Sequence, residues 1–140
     1  MKKLTIDYTA VAINTGGRKG HVKTDDGLLD FDVAMPKEIG GEGGKTNPEQ
    51  FFAAGYAACF GGALGSVAGK TSLRDSEITV KVHLGNYGPG DFGLAVDIHV
   101  KIPHAASLEE AQKMVDAAHE VCPYSKATRG NIEVNVKAIA

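Results

Sequence analysis

Residues 4–13 begin with apolar and polar side chains in alternation: Leu4, Ile6 and Tyr8 against Thr5, Asp7 and Thr9. That is the period of a half-buried strand. Thr15-Gly16-Gly17-Arg18-Lys19-Gly20 reads as a glycine-rich turn, and residues 21–24 as the returning strand. Asp25-Asp26-Gly27 is a second turn. It leads to a third strand over residues 28–34, with Leu29, Phe31 and Val33 on one face. Three such strands predict an antiparallel meander.

After a loop over residues 36–45 the period changes. Asn47 fits a helix N-cap, Pro48 the first helical position, and Gln50 follows three residues after the cap. Each answers part of the same need, the unpaired amides of a helix start. The helix is expected to run to about Gly69. Two alternating runs follow, over residues 77–88 and 92–102, joined by the turn Gly88-Pro89-Gly90-Asp91. They predict a hairpin. Ser107-Leu108-Glu109-Glu110 is a capping box opening a second helix. Its expected apolar stripe is Leu108, Ala111, Val115, Ala118 and Cys122, with Pro123 ending it. Ile132, Val134 and Val136 mark a last strand over residues 131–138. The order βββ-α-ββ-α-β, with strands in antiparallel groups, predicts an α+β fold. No repeat or linker interrupts residues 1–140, so a single domain is expected.

The 140 residues are 43% hydrophobic and 23% charged, enough to bury a core. Fifteen basic and seventeen acidic residues give a net charge of −2. This lacks the basic footprint of a nucleic-acid binder and gives no support to docking on an anionic membrane. Two cysteines are too few for a disulfide scaffold. The first residues are basic without the apolar run of a signal peptide, so a cytoplasmic protein with reduced thiols is expected. Residues 51–69 carry no charge over a length that could cross a bilayer. Five glycines and six alanines make that stretch weakly hydrophobic. A buried central helix of small residues is the better reading.

Cys59 lies on that central helix, and Cys122 ends the stripe of the second. Both are expected to point inward. Each could be no more than a small buried hydrophobe. There is no CxxC, and His21, His83, His99, His104 and His119 lack ligand spacing, so no metal site is expected. A reactive role needs a thiolate, which burial disfavours. Cys59 is also too far from the helix start for the dipole to help much. A nearby cation is therefore required. Arg18, set between glycines, is a candidate; Arg74 and Arg129 compete, and spacing does not choose among them. Glu49, in the first turn of the Cys59 helix, could orient such an arginine or could merely complement the helix dipole.

Three stretches carry a family resemblance. They are Gly40-Gly41-Glu42-Gly43-Gly44-Lys45-Thr46-Asn47-Pro48-Glu49-Gln50, the following Phe51-Phe52-Ala53-Ala54-Gly55-Tyr56-Ala57-Ala58-Cys59-Phe60, and Cys122-Pro123-Tyr124-Ser125-Lys126-Ala127-Thr128-Arg129-Gly130-Asn131. Together with Gly16-Gly17-Arg18 and Phe92-Gly93-Leu94, they resemble the organic hydroperoxide resistance proteins of the OsmC/Ohr superfamily over nearly the whole chain. Phe51 stands where the family pattern has Leu, and Lys126 where it has Asn. The last run resembles the organic-hydroperoxide branch more than the osmotically induced sister branch.

The resemblance implies antiparallel sheets around two central helices in an intertwined homodimer. It implies a cysteine-based peroxidase acting on organic hydroperoxides in oxidative stress defence, without metal or cofactor. Cys59 would be the peroxidatic residue and Cys122 the resolving one, closing a Cys59–Cys122 disulfide. Arg18 and Glu49 match the family's polar activating pair. The reductant it implies is a dithiol, a lipoylated protein or dihydrolipoamide.

A disulfide requires the two Cα atoms within roughly 7 Å, so the helices must pack directly. Gly55, Ala58 and Gly62 are the small residues expected to permit this. Phe51, Phe52, Tyr56 and Phe60 would favour an alkyl or acyl tail, unless they are simply core. Glu49 and Cys59 are ten residues apart, ~15 Å along a straight helix. The expectation is a site shared across a dimer, with Arg18 and Glu49 from the partner of the chain holding Cys59. Two other readings are a sister-branch peroxidase and a non-catalytic carrier holding a hydrophobic ligand between the helices.

Overall fold

The computed structural model describes residues 1–140 and divides into two compact units, Met1–Pro48 and Glu49–Ala140. In the first unit β1 (Ala12–Thr15), β2 (His21–Thr24) and β3 (Asp30–Asp32) form the expected antiparallel meander, in that order across the sheet. Its registers pair Asn14 with Val22 and Val22 with Phe31. The first strand is displaced from the expected one. Only residues from Ala12 onward pair, while Leu4, Ile6 and Tyr8 stand 72–81% exposed. Their alternation is real, but within this chain they meet neither a sheet edge nor a core. The third strand is also shorter than expected: Leu29 and Phe31 remain exposed and only Val33 is buried.

The second unit opens with α1 (Pro48–Val67), whose first residue Pro48 ends the first unit and follows Asn47 as the capping signal predicted. β4 (Glu77–Asn86) and β5 (Phe92–Lys101) form a hairpin paired from Glu77–Lys101 to Asn86–Phe92. α2 (Leu108–Val121) opens on Ser107, whose Oγ accepts the Glu110 N–H at 3.0 Å. The Glu110 carboxylate pairs with Lys113 at 3.3 Å.

β6 (Val134–Ile139) joins the free edge of β5 in parallel, from Val96–Val134 to Lys101–Ile139. That departs from an all-antiparallel expectation. The reason is the crossover: a chain that leaves β5 and runs through a helix can return beside it in the same direction. Gln112 stitches α2 to this strand, accepting the Ala138 N–H at 2.7 Å and donating to the Val136 carbonyl.

The core lies between the sheet and the helices. Val96, Ile98 and Val100 alternate inward on β5 and meet Tyr56, Phe60 and Leu64 of α1 and Ala111, Val115 and Ala118 of α2. Leu108, expected in the α2 stripe, is 54% exposed instead, because it sits in the first turn beyond the edge of the core. Pro123 ends α2 and also begins a short helix that the sequence reading missed, α3 (Pro123–Thr128). Proline can do both, since it lacks the amide a continuing helix needs and fits a first helical position. No helix is long and apolar enough to cross a membrane.

Candidate active site

Two sulfur atoms from distant parts of the sequence meet in the second unit. The Cys122 thiol donates to Cys59 Sγ at 3.5 Å. Both cysteines are free; Cys59 is half-buried and Cys122 fully buried. α1 carries Cys59 on a face that packs against the core. Cys122 is the one residue between α2 and α3, capping the first and preceding the second in extended conformation.

One more group addresses the half-buried sulfur. The Tyr124 backbone N–H, in the first turn of α3, donates to Cys59. Amides in a first helical turn have no partner within their helix, so this one is available. Burial pushes the Cys59 thiol up, the Tyr124 amide opposes that rise, and the adjacent Cys122 adds to it. Burial wins, so the second unit by itself holds Cys59 as a thiol. This is the sign expected from sequence, and it keeps the requirement for a cation.

The three arginines that sequence left open stand in different surroundings. Arg74 is 82% exposed beside Asp75. Arg129 donates to the His119 carbonyl oxygen and approaches Glu120 at 4.0 Å. Arg18 lies in the first unit, half-buried in a 3₁₀ turn over Gly17–Lys19. That turn is built from its neighbours. Gly16 and Gly17 take left-handed φ values of 80° and 58°, where a side chain would be strained. Asn14 ties it together: its Oδ1 accepts the Gly17 N–H, and its Nδ2 donates to the carbonyls of Gly17 and His21. Asn14 was not singled out from sequence, although an Asn just ahead of a glycine-rich stretch is a turn signal. Next to it, the His21 ring lies between Asp32 and Asp30, whose carboxylates hold its pKa above the usual range.

Glu49 is half-buried in the first turn of α1. The continuous helix puts it about 15 Å along the axis from Cys59. Of the aromatic residues, Phe51 and Phe52 are half-buried, whereas Tyr56 and Phe60 are fully buried. Phe60 and Tyr56 thus occupy core positions, the plainer of the two roles open to them. Phe52, Tyr56 and Tyr124 form a ring cluster with centroids 5.5–6.3 Å apart.

Among the small residues, Gly55 is the one at the contact. A Cβ there would stand 2.7 Å from the Tyr124 hydroxyl. Ala58 and Gly62 are exposed on the other side of α1, so they do not mediate this packing. No set of three or more His, Cys, Asp or Glu side chains converges in a metal-ligating group.

Beneath the sulfurs runs a buried polar network that periodicity could not reveal. Tyr56 Oη bonds Ser125 Oγ at 2.8 Å and Thr128 Oγ1 at 3.2 Å, across about seventy positions of sequence. Tyr56→Phe keeps the ring and removes one partner from each hydroxyl, while Ser125 keeps His119 Nδ1 and Thr128 keeps the Ser125 carbonyl. The expected cost is about 0.5–1.5 kcal/mol, the usual net worth of a lost hydrogen bond, read by chemical denaturation. An unchanged midpoint would show that water replaces the lost hydroxyl.

The OsmC-like protein family matches residues 41–137, which include both sulfurs, Glu49 and the whole of α3. The chain belongs to the OsmC-like family. This OsmC-like chain is 51% identical to Organic hydroperoxide resistance protein OhrB of Bacillus subtilis, over 93% of the chain and 96% of that protein. It is 48% identical to Organic hydroperoxide resistance protein of Xanthomonas axonopodis pv. citri, over 92% of each. Its fold matches the crystal structure of an organic hydroperoxide resistance protein OsmC from Legionella pneumophila. The TM-score is 0.90 at 50% identity, covering 97% of this chain and all of that one. The OsmC-like fold thus bears out the α+β expectation, with the helices against a three-stranded sheet in the second unit.

Proposed function

We propose that this OsmC-like chain is a thiol-dependent peroxidase that reduces organic hydroperoxides to alcohols, in defence against oxidative stress. The observation that carries the reading is the 3.5 Å approach of Cys59 and Cys122 from helices 63 positions apart. Relatives at about half identity are named for organic hydroperoxide resistance, which favours that branch over the osmotically induced one.

Cys59 is the attacking sulfur. It is the less buried of the pair, and the Tyr124 amide favours its thiolate. Its thiolate attacks one peroxide oxygen, the O–O bond breaks, and the alkoxide leaves and takes up a proton. Cys59 is then a sulfenic acid. The Cys122 sulfur attacks Cys59, the S–O bond breaks, and the hydroxyl leaves as water with the thiol proton. The product is a Cys59–Cys122 disulfide. A dithiol, from a lipoylated protein or dihydrolipoamide, reduces it back to two thiols.

Arg18 favours the thiolate and the charge developing on the peroxide oxygens, and Glu49 holds its guanidinium. The distance along α1 from Glu49 to Cys59 supports their arrival from a second copy of the chain. So do two apolar surfaces left exposed, the side chains of Leu4, Ile6 and Tyr8 and the Ala54-Ala58-Gly62 face of α1. Phe51 and Phe52, half-buried on α1, line the approach for an apolar tail, while Tyr56 and Phe60 belong to the core. The protein acts in the cytoplasm, where dithiol reductants keep its sulfurs reduced.

Intact-mass analysis after one equivalent of an alkyl hydroperoxide tests the scheme. The reduced chain is expected to lose two hydrogens, mapped to a Cys59–Cys122 link. Cys122→Ser is expected to keep the first oxidation, gain oxygen at Cys59 and lose multiple turnover. A Cys122→Ser chain that turns over like the parent would remove Cys122 from the cycle.

A further inference from the structure

The short helix that follows Cys122 is fastened to one residue of α2 at its middle and at its C-terminal cap. His119 Nδ1 shares a 2.8 Å hydrogen bond with Ser125 Oγ, and the His119 carbonyl oxygen accepts the Arg129 guanidinium. Cys122 lies between the two partners of the ring bond, three residues after His119 and three before Ser125. Ser125, itself fully buried, passes the link to Tyr56 on the helix of Cys59. On the other side the Tyr124 ring rests in the notch that Gly55 leaves on α1. Neither His119 nor Ser125 is used in the peroxide chemistry above.

We propose that His119 is a positioning residue for the resolving step, a clasp whose hydrogen bond to Ser125 holds the Cys122 sulfur at bonding approach to Cys59. The proposal rests on the reading of Cys122 as the resolving thiol. The sulfurs are 3.5 Å apart and must close to about 2.05 Å. A side chain that reaches its partner from a one-residue joint depends on the helices on either side of that joint. His119 cross-links those helices through both its ring and its carbonyl. Without the ring bond, α3 loses the side-chain tie to α2 nearest Cys122 and keeps the Arg129 bond to the His119 carbonyl and the bonds of Ser125 and Thr128 to Tyr56. A misplacement of about 1 Å at a reacting atom is enough to cost up to a hundredfold in rate.

The test separates closure of the sulfur pair from reaction with peroxide. The fully reduced parent chain and its His119→Ala, His119→Asn and Ser125→Ala variants are treated with diamide, a diazene oxidant. It takes two electrons and two protons from the thiol pair and becomes a hydrazine. Disulfide formation is followed by acid quench and intact mass. His119→Ala and Ser125→Ala are expected to close about tenfold more slowly. His119→Asn, which keeps a hydrogen-bonding atom near the place of Nδ1, is expected within about threefold of the parent. Circular dichroism and a cooperative melt confirm that each variant is folded, and Ser125→Ala carries the comparison if His119→Ala is not.

Closure of both alanine variants at the parent's rate overturns the clasp. So does slowing that His119→Asn fails to rescue, since that would mark a loss of packing. With an alkyl hydroperoxide in place of diamide, the alanine variants are expected to divert Cys59 to sulfinic acid. A parent chain that closes with diamide yet ignores the hydroperoxide sinks the peroxidase reading and leaves the diamide result to decide the clasp.

Discussion

Cys59→Ser is expected to abolish hydroperoxide-dependent consumption of a dithiol, a loss of at least about a thousandfold in kcat/KM. The physical reason is ionisation. A serine hydroxyl is not an anion at neutral pH without a dedicated base, and it is a far weaker nucleophile than a thiolate. The substitution changes one half-buried atom and spares the core beneath it, so the fold is expected to persist. The measurement is steady-state turnover of an alkyl hydroperoxide with dihydrolipoamide as donor. A carrier of hydrophobic ligands would tolerate the change. Retained turnover in Cys59→Ser would therefore dismiss the peroxidase reading outright.

The second large effect concerns Arg18. Arg18→Ala is expected to slow the reaction of Cys59 with an alkyl hydroperoxide by about a hundred- to a thousandfold, the usual scale for removing a preorganised donor from developing charge. The direction follows from the thiol itself. Burial holds Cys59 above the ordinary thiol range, and the Tyr124 amide only partly offsets that. On the proposed reading the Arg18 guanidinium lowers it, so its loss returns Cys59 to the protonated form at neutral pH. Titrating thiolate absorbance with and without Arg18 reads this directly, with the midpoint moving up in the variant. Arg18→Lys is expected to recover only part of the rate, because an ammonium keeps the charge but not the two-pronged grip on a carboxylate such as Glu49. Equal rates in Arg18→Ala and the parent would show that the thiolate is made in some other way.

Much of the second unit was legible in the sequence because its signals are local. The Asn47-Pro48 start gave α1, the alternation of Ile78 to Leu84 and Leu94 to Ile102 gave the hairpin, and Ser107 gave the start of α2. What escaped depends on partners far along the chain. The parallel entry of β6 is decided by which edge of β5 is free. The short α3 was hidden because Pro123 carries a stop signal and a start signal at once. Leu4, Ile6 and Tyr8 have the right alternation but lack, in one chain, a surface to alternate against.

The site divides in the same way. Cys59 and Cys122 could be picked out by their place on apolar helices, and their meeting followed from the family resemblance. The choice of Arg18 over Arg74 and Arg129 was closed to spacing. The structure places Arg74 exposed, Arg129 on the His119 carbonyl and Arg18 in the turn of the first unit. The Tyr56-Ser125-His119 network was illegible for a plainer reason. Hydroxyls and an imidazole seventy residues apart leave no periodic trace, and only folding shows that they are buried together.

One-residue joints between helices have little slack: neighbouring elements can pivot about them but cannot drift. Cys122 is such a joint, and the gap its sulfur must cross is roughly 1.5 Å, the difference between 3.5 Å and a covalent S–S length. A swivel of one side chain covers that distance. The protein would therefore record an encounter with an oxidant with hardly any rearrangement of its backbone, and whatever restores it must recognise a molecule almost unchanged in outline.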